Sequence, residues 1–222
     1  MALELPPNDL VPSFKAQPLP DGIRLEGLTA IVTGSNVGLG FEAAKELASH
    51  GLSKLIPAVR DLAKGDATKT EIAQVAPECN IQRLEFTRSP TGYKAHIQIS
   101  YLGTALLSLL VVEPLKRTAG RMTITASSVA FGGNRGILAW LDDPTSFLLD
   151  VLWTKALAAR LDPAHIIVNT LNPGDCRSSF HRVSPRVEMF SKYLAWSSAE
   201  GGYHLTDAVV RHPDSHGAYL SE

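Results

Sequence analysis

The residues best placed by type and spacing to do chemistry are Thr33-Gly34-Ser35-Asn36-Val37-Gly38-Leu39-Gly40, directly after the apolar run Leu28-Thr29-Ala30-Ile31-Val32. The run reads as a buried strand, and Phe41 to His50 beyond the glycines has helical spacing. Glycine permits a tight turn and lets the backbone approach a bound group closely. The N-terminus of the following helix favours an anionic phosphate. Three glycines alone are a weak signal. Between a strand and a helix they point to a nucleotide-phosphate site built from Gly34, Ser35, Asn36, Gly38, Leu39 and Gly40, the plain alternative being an ordinary glycine-rich turn.

The elements that must position such a site alternate along the chain. Leu55–Val59 reads as a second strand, preceded by a helix stop at His50-Gly51, and Leu62–Val75 as a polar-faced helix. Ile81–Phe86 reads as a third strand, and Tyr93–Leu115 as a long helix ending near Lys116-Arg117. Met122–Ala126 and Ile166–Leu171 read as strands on either side of a helix over Pro144–Leu161. Strands separated by helices of this length imply right-handed crossovers and a parallel sheet covered on both faces, a Rossmann-like doubly wound α/β fold. In such sheets ligands bind outside the carboxyl ends of the strands, which marks 34–40, 58–64, 127–133 and 172–182.

The bulk numbers fit one globular domain. The chain has 222 residues, 45% hydrophobic and 19% charged, with a formal charge of −1 that gives no reason to expect a nucleic-acid or membrane-surface partner. Cys79 and Cys176 are too few for a disulfide framework and lie in no metal-ligand pattern, so no metal is expected. No stretch is long and apolar enough to span a bilayer. Met1–Leu10 carry Glu4 and Asp9 without a basic leader segment, and a cytoplasmic location is the expectation. Residues 1–24 include five prolines and read as an irregular arm, with the domain proper over 25–222.

Further motifs stand in order along the chain: Ala58-Val59-Arg60-Asp61 with Lys64-Gly65, Tyr101-Leu102-Gly103-Thr104, Thr125-Ala126-Ser127-Ser128, Asn172-Pro173-Gly174, and Ser215-His216-Gly217-Ala218-Tyr219-Leu220-Ser221. With the Thr33–Gly40 loop they make the sequence resemble the short-chain dehydrogenase/reductase family over most of residues 25–222, most like members common in fungal secondary metabolism. The resemblance implies an NADP(H) cofactor over the glycine loop, with Arg60 and Lys64 on the 2′-phosphate and Pro173 and Gly174 as further contacts. Weakened or lost binding is the alternative. It also implies a small-molecule substrate, a hydrophobic metabolite, and a homo-oligomer.

The family moves a proton with a Ser–Tyr–Lys set and a helper Asn while the nicotinamide moves a hydride. Here none of Tyr93, Tyr101, Tyr193, Tyr203 and Tyr219 has a lysine four residues later. Registered on Leu148-Leu149-Asp150-Val151-Leu152-Trp153-Thr154-Lys155, Asp143 stands at the tyrosine position and Phe147 at the lysine position. Ser100 replaces the helper Asn, and Ser128 remains. Between the third strand and the long helix the chain has only Thr87–Gly92, where the family places a helix, a fourth strand with an Asn-Asn-Ala-Gly motif and a loop. One strand of the sheet is therefore expected to be missing, with the gap closed by its neighbours or by pairing across a dimer.

Asp143 has two readings. A buried carboxylate with a raised pKa would serve as an acid or base, and Asp143-Pro144 is equally a helix start, with aspartate as cap and proline at the first helical position. Ser128 either orients a substrate oxygen or ends a strand. His181 either exchanges protons from a loop or is simply exposed. Three functions stay open: a non-redox tailoring enzyme of isomerase or cyclase type with Ser128, Asp143 and His181 as catalytic candidates; a divergent NADPH-dependent carbonyl reductase; and a non-catalytic descendant serving as a pseudoenzyme or interaction subunit.

Overall fold

The computed structural model describes residues 10–11, 17–59, 62–82, 98–127, 145–177 and 195–221. The architecture is Rossmann-like α/β, with every strand pair parallel. The chain groups into two compact units, one of residues 16–89 and 175–207, the other of 1–15, 90–174 and 208–222.

The first unit carries a three-stranded sheet of β2 (Thr29–Thr33), β3 (Lys54–Ala58) and β4 (Asn80–Ile81) in the order β2-β3-β4. Ile31 lies beside Ile56 and Thr33 beside Ala58. Helix α1 (Gly38–Ser49) joins β2 to β3, and α2 (Leu62–Val75) joins β3 to β4. The buried faces of these elements supply Ala43, Ala44, Leu47, Leu55 and Ile72 to the core. The bounds of α2 coincide with those the hydrophobic spacing predicts.

Helix α5 (Ser198–Val210) is absent from the sequence expectation, because Gly201-Gly202 in its second turn masks its helical pattern. A capping box starts it: the Ser197 N–H donates to Glu200 Oε2 at 2.8 Å, and the Glu200 N–H donates to Ser197 Oγ at 3.2 Å. The glycines serve close approach to α1. A Cβ on Gly202 would lie 2.8 Å from Glu42 Cβ and 3.0 Å from the Ala43 nitrogen. Beside this contact Glu46, 7% exposed, accepts from the Leu19 N–H at 2.7 Å and from the Thr206 hydroxyl. One carboxylate thus ties the segment before β2 and the last helix to α1.

The second unit has a four-stranded sheet in the order β1-β7-β6-β5, formed by Leu10–Val11, Tyr219–Leu220, Ile167–Leu171 and Arg121–Thr125. Its helices are α3 (Gly103–Arg117), entered through a π-helical turn at Gln98–Leu102, and α4 (Thr145–Ala158). Val112, Met122, Ile124, Leu157, Ile166 and Val168 form its core. The residues of 215–221 are structural here. Asn169 donates to Ser215 Oγ at 2.8 Å, and His216 accepts the Val168 N–H on Nδ1 and meets the Ala158 carbonyl through Nε2 at 3.0 Å. Those two contacts assign the Nε2–H tautomer.

The sequence predicts one sheet lacking a strand; the described residues form two sheets. β2 ends one and β5 ends the other, each paired on a single side among the described residues.

The Glu46 cluster generates a stability prediction. Glu46→Leu strands the buried Leu19 N–H, while the Thr206 hydroxyl keeps the Tyr203 carbonyl at 3.0 Å, so urea denaturation should show a loss of about 1–3 kcal/mol. Glu46→Gln, which keeps an acceptor, should lose clearly less.

Candidate functional site

The glycine loop is built mostly from backbone. β2 delivers Thr33 to the turn, Gly34 donates its N–H to Ala58 O at 3.0 Å, and Gly34 and Gly38 adopt φ of 65° and 63°. Those angles belong to the left-handed region, where side chains are strained. At Gly40 a Cβ would sit 2.8 Å from the Gly34 carbonyl oxygen and 3.1 Å from that of Thr33, so only glycine lets α1 begin this close to β2.

The start of α1 is open to an anion. Its cap residue, Val37, is extended and makes no side-chain cap hydrogen bond, and no acidic residue lies in the first turn. The first-turn N–H groups and the helix dipole therefore present unneutralised positive potential. Ser35 is fully buried, and its Oγ has no hydrogen-bond partner among the described residues. An orphaned hydroxyl in a turn shaped by Gly34, Gly38 and Gly40 fits a phosphate oxygen. Asn36 and Leu39 are half-buried beside it.

Other sequence candidates fall into three groups. Lys64 is exposed on α2, in the same unit as the glycine loop. Pro173 and Gly174 follow β6 in the other unit; Gly174 has φ 75° and donates its N–H to Asn172 Oδ1 at 3.3 Å, which makes a local turn at the carboxyl end of that strand. Ser128, Asp143, His181 and Arg60 lie outside the described residues. Cys79 and Cys176 are buried and not joined in a disulfide, and among the described residues no three His, Cys, Asp or Glu side chains gather as metal ligands. No helix among them is long and apolar enough to cross a membrane.

One group escaped sequence reasoning. Asp150 lies on α4 one turn beyond Phe147; it is 3% exposed, and its Oδ1 has no partner among the described residues. Burial alone pushes its pKa up to about 7. The elements packed on α4 are β5, β6, α3 and the π-helical turn, which carry Arg121, Glu113, Lys116, Arg117 and Tyr101 as ionisable groups. Arg121 is engaged with the Val210 carbonyl at 2.6 Å, and Lys116 pairs with Glu113 at 2.9 Å. The available signal was a carboxylate inside the apolar run Leu148–Trp153.

A parallel α/β unit with a glycine turn cradling the start of its first long helix defines a nucleotide-binding class of fold. No family model matches the chain. The short chain dehydrogenase sol3 of Alternaria solani is 39% identical, with the alignment covering 95% of this chain and 94% of the relative. A short-chain dehydrogenase/reductase of Phaeosphaeria nodorum, phmF, is 28% identical over 92% of this chain and 80% of its own length. The chain belongs to the short-chain dehydrogenase/reductase family.

Solved structures share the fold. L-sorbose reductase of Gluconobacter frateurii, complexed with NADPH and L-sorbose, superposes with a TM-score of 0.71 at 13% identity, covering 90% of this chain and 96% of that one. A short chain dehydrogenase of Shigella flexneri complexed with NADP gives 0.70 at 18% identity, covering 89% and 97%. The alignment with sol3 runs over 269 positions, more than the 222 residues here. Since 95% of this chain, about 211 residues, takes part, about 58 positions are occupied by the relative alone.

Asp150 yields a pH prediction. Its raised pKa means that the folded state binds a proton the unfolded chain has released, so stability falls as pH climbs from about 4 to about 7 and then levels off. Asp150→Asn should match the wild type near pH 4 and exceed it above pH 8 by at most about 4 kcal/mol, read from urea denaturation across pH. Equal stability of the two proteins at every pH would contradict the buried charge.

Proposed function

We propose that the chain is a tailoring enzyme of natural-product biosynthesis that converts a small hydrophobic metabolite without net hydride transfer, as an isomerase or cyclase does. The observation that carries this reading is the absence of any Tyr-x-x-x-Lys spacing, with Asp143 and Phe147 in register with the pair. Replacing the lysine by phenylalanine removes the cation that lowers a neighbouring phenol's pKa and supplies an apolar wall. A site of that kind orients and shapes a substrate, with Ser128, Asp143 and His181 as the groups that hold or move its proton. The fungal short-chain dehydrogenases among its relatives support a tailoring role.

The cofactor site is proposed as retained. Gly34, Ser35, Asn36, Gly38, Leu39 and Gly40 would hold the pyrophosphate of NADP(H), Arg60 and Lys64 the 2′-phosphate, with Pro173 and Gly174 as further contacts. The orphaned Ser35 Oγ and the uncapped α1 support this, as do the NADPH and NADP held by the sorbose reductase and the Shigella protein. When bound, the group supplies a hydride donor or acceptor. The same cradle favours a second reading, a reductase whose proton comes from Ser128 or Asp143.

Incubation with candidate metabolites and NADPH, followed by mass spectrometry and absorbance near ~340 nm, separates the two readings. The isomerase or cyclase reading expects product of unchanged mass or rearranged bonds with constant absorbance, and stoichiometric NADPH consumption overturns it. If the reductase reading holds, Ser128→Ala or Asp143→Asn should lower the rate by about 10²-fold or more. Gly40→Val should weaken NADPH binding more than tenfold under either reading.

A further inference from the structure

We propose that Gly201 and Gly202 on α5 are positioning residues for the phosphate cradle. By letting α5 lie against the first two turns of α1, they fix where the N–H groups at the start of α1 point. The inference rests on the cofactor reading above and extends it to an element outside the glycine loop.

Two contacts fix α1 near its start. At one, a Cβ on Gly40 would lie 2.8 Å from the Gly34 carbonyl oxygen, so α1 already begins at closest approach to the β2 turn. At the other, a Cβ on Gly202 would lie 2.8 Å from Glu42 Cβ, 3.0 Å from the Ala43 nitrogen and 3.2 Å from the Glu42 carbonyl carbon. The last two atoms are backbone, which no change of rotamer withdraws. One residue earlier, Gly201 faces Leu39 of the glycine loop, whose Cγ and Cδ2 would both be 2.8 Å from an added Cβ.

α5 is anchored on both sides of the glycine pair. Before it stand the capping box and the Ser198 hydroxyl, which donates to the Arg177 carbonyl at 2.6 Å. After it, the Thr206 hydroxyl donates to the Glu46 carboxylate of α1. With no slack at either glycine contact, a methyl group at position 202 must press α1 against the turn or tilt it. The cradle is sensitive to such a shift. It offers an anion backbone N–H groups and the helix dipole, with no capping side chain that can re-aim. A glycine pair in a second turn disfavours the helix, and the close approach is what it supplies in return.

The test is calorimetric titration of the full chain with NADPH, at a temperature where every variant stays folded. The variants are Gly202→Ala, Gly202→Ala/Glu42→Gly, Gly201→Ala and a core control in the other unit, Leu157→Ala, whose side chain is buried. Gly202→Ala should bind NADPH about tenfold more weakly than wild type. The double variant removes the Cβ that the new methyl group meets. It should regain about threefold of that affinity, although a second helix glycine lowers its melting temperature further. Leu157→Ala should lose melting temperature and keep the wild-type affinity. Gly201→Ala, whose three nearest contacts are movable side-chain atoms of Cys176 and Leu39, should fold and weaken binding about threefold. In the cofactor-free proteins the amide NMR signals of Gly34, Gly38 and Gly40 should move in Gly202→Ala, return toward wild type in the double variant and stay in place in Leu157→Ala. Wild-type affinity in both alanine variants, or affinity that follows melting temperature across the set, overturns the proposal alone. A wild type that binds no NADPH overturns the cofactor reading and this inference with it.

Discussion

Each strand inside a parallel sheet divides its peptide groups between two neighbours, and β2 has a neighbour on one side only among the described residues. The rest of its unit depends on how that imbalance is carried. β2 keeps its register through five residue pairs with β3 and through α1, which starts directly from it. α1 is held in turn by Glu46, whose two oxygens accept from Leu19 and Thr206. An element that would be central in a complete sheet is thus fixed by one ladder, one helix and one buried carboxylate.

In this family binding and proton transfer draw on different materials. The anion cradle is made by Gly34, Gly38, Gly40 and the first turn of α1, so its shape depends on backbone angles and on the absence of side chains. Proton transfer in the family depends on a tyrosine and a lysine at fixed spacing on one helix. A backbone-built site tolerates change elsewhere, whereas a proton relay disappears with two substitutions.

Much of this was legible in the sequence, and the failures have particular causes. The strand–glycine–helix order and the bounds of α2 followed from hydrophobic spacing, because those elements bury one regular face. α5 was hidden by Gly201-Gly202, which lower helix propensity yet let α5 approach Glu42 and Ala43 closely; the capping signal Ser197-x-x-Glu200 was present and outweighed. Splitting of the sheet could not be read, since it depends on which neighbour a strand finds in space. Of the candidate site, the glycine turn between β2 and α1 was legible because its glycines do a local job. Ser128, Asp143, His181 and Arg60 rest on register with the family and lie outside the described residues.

Asp150 shows why register alone is an incomplete guide to chemistry on α4. Several nearby buried donors are matched to acceptors: Thr170 donates to Ile124 O, Thr154 to Asp150 O, and both amide hydrogens of Asn169 are taken by Ala208 O and Ser215 Oγ, whereas Thr123 Oγ1 and Asn169 Oδ1 lack a partner among the described residues. A neutral group in such a core costs little once paired, but an ionised carboxylate without a donor costs far more than a neutral carbonyl. Asp150 therefore stays near the balance between its two protonation states at neutral pH, burial being the cause among the described residues. The helix that carries Phe147 thus holds, one turn on, a titratable group poised in that range. Any donor that reaches its free oxygen would shift the proton, and the same contact would recover stability that the core now forgoes.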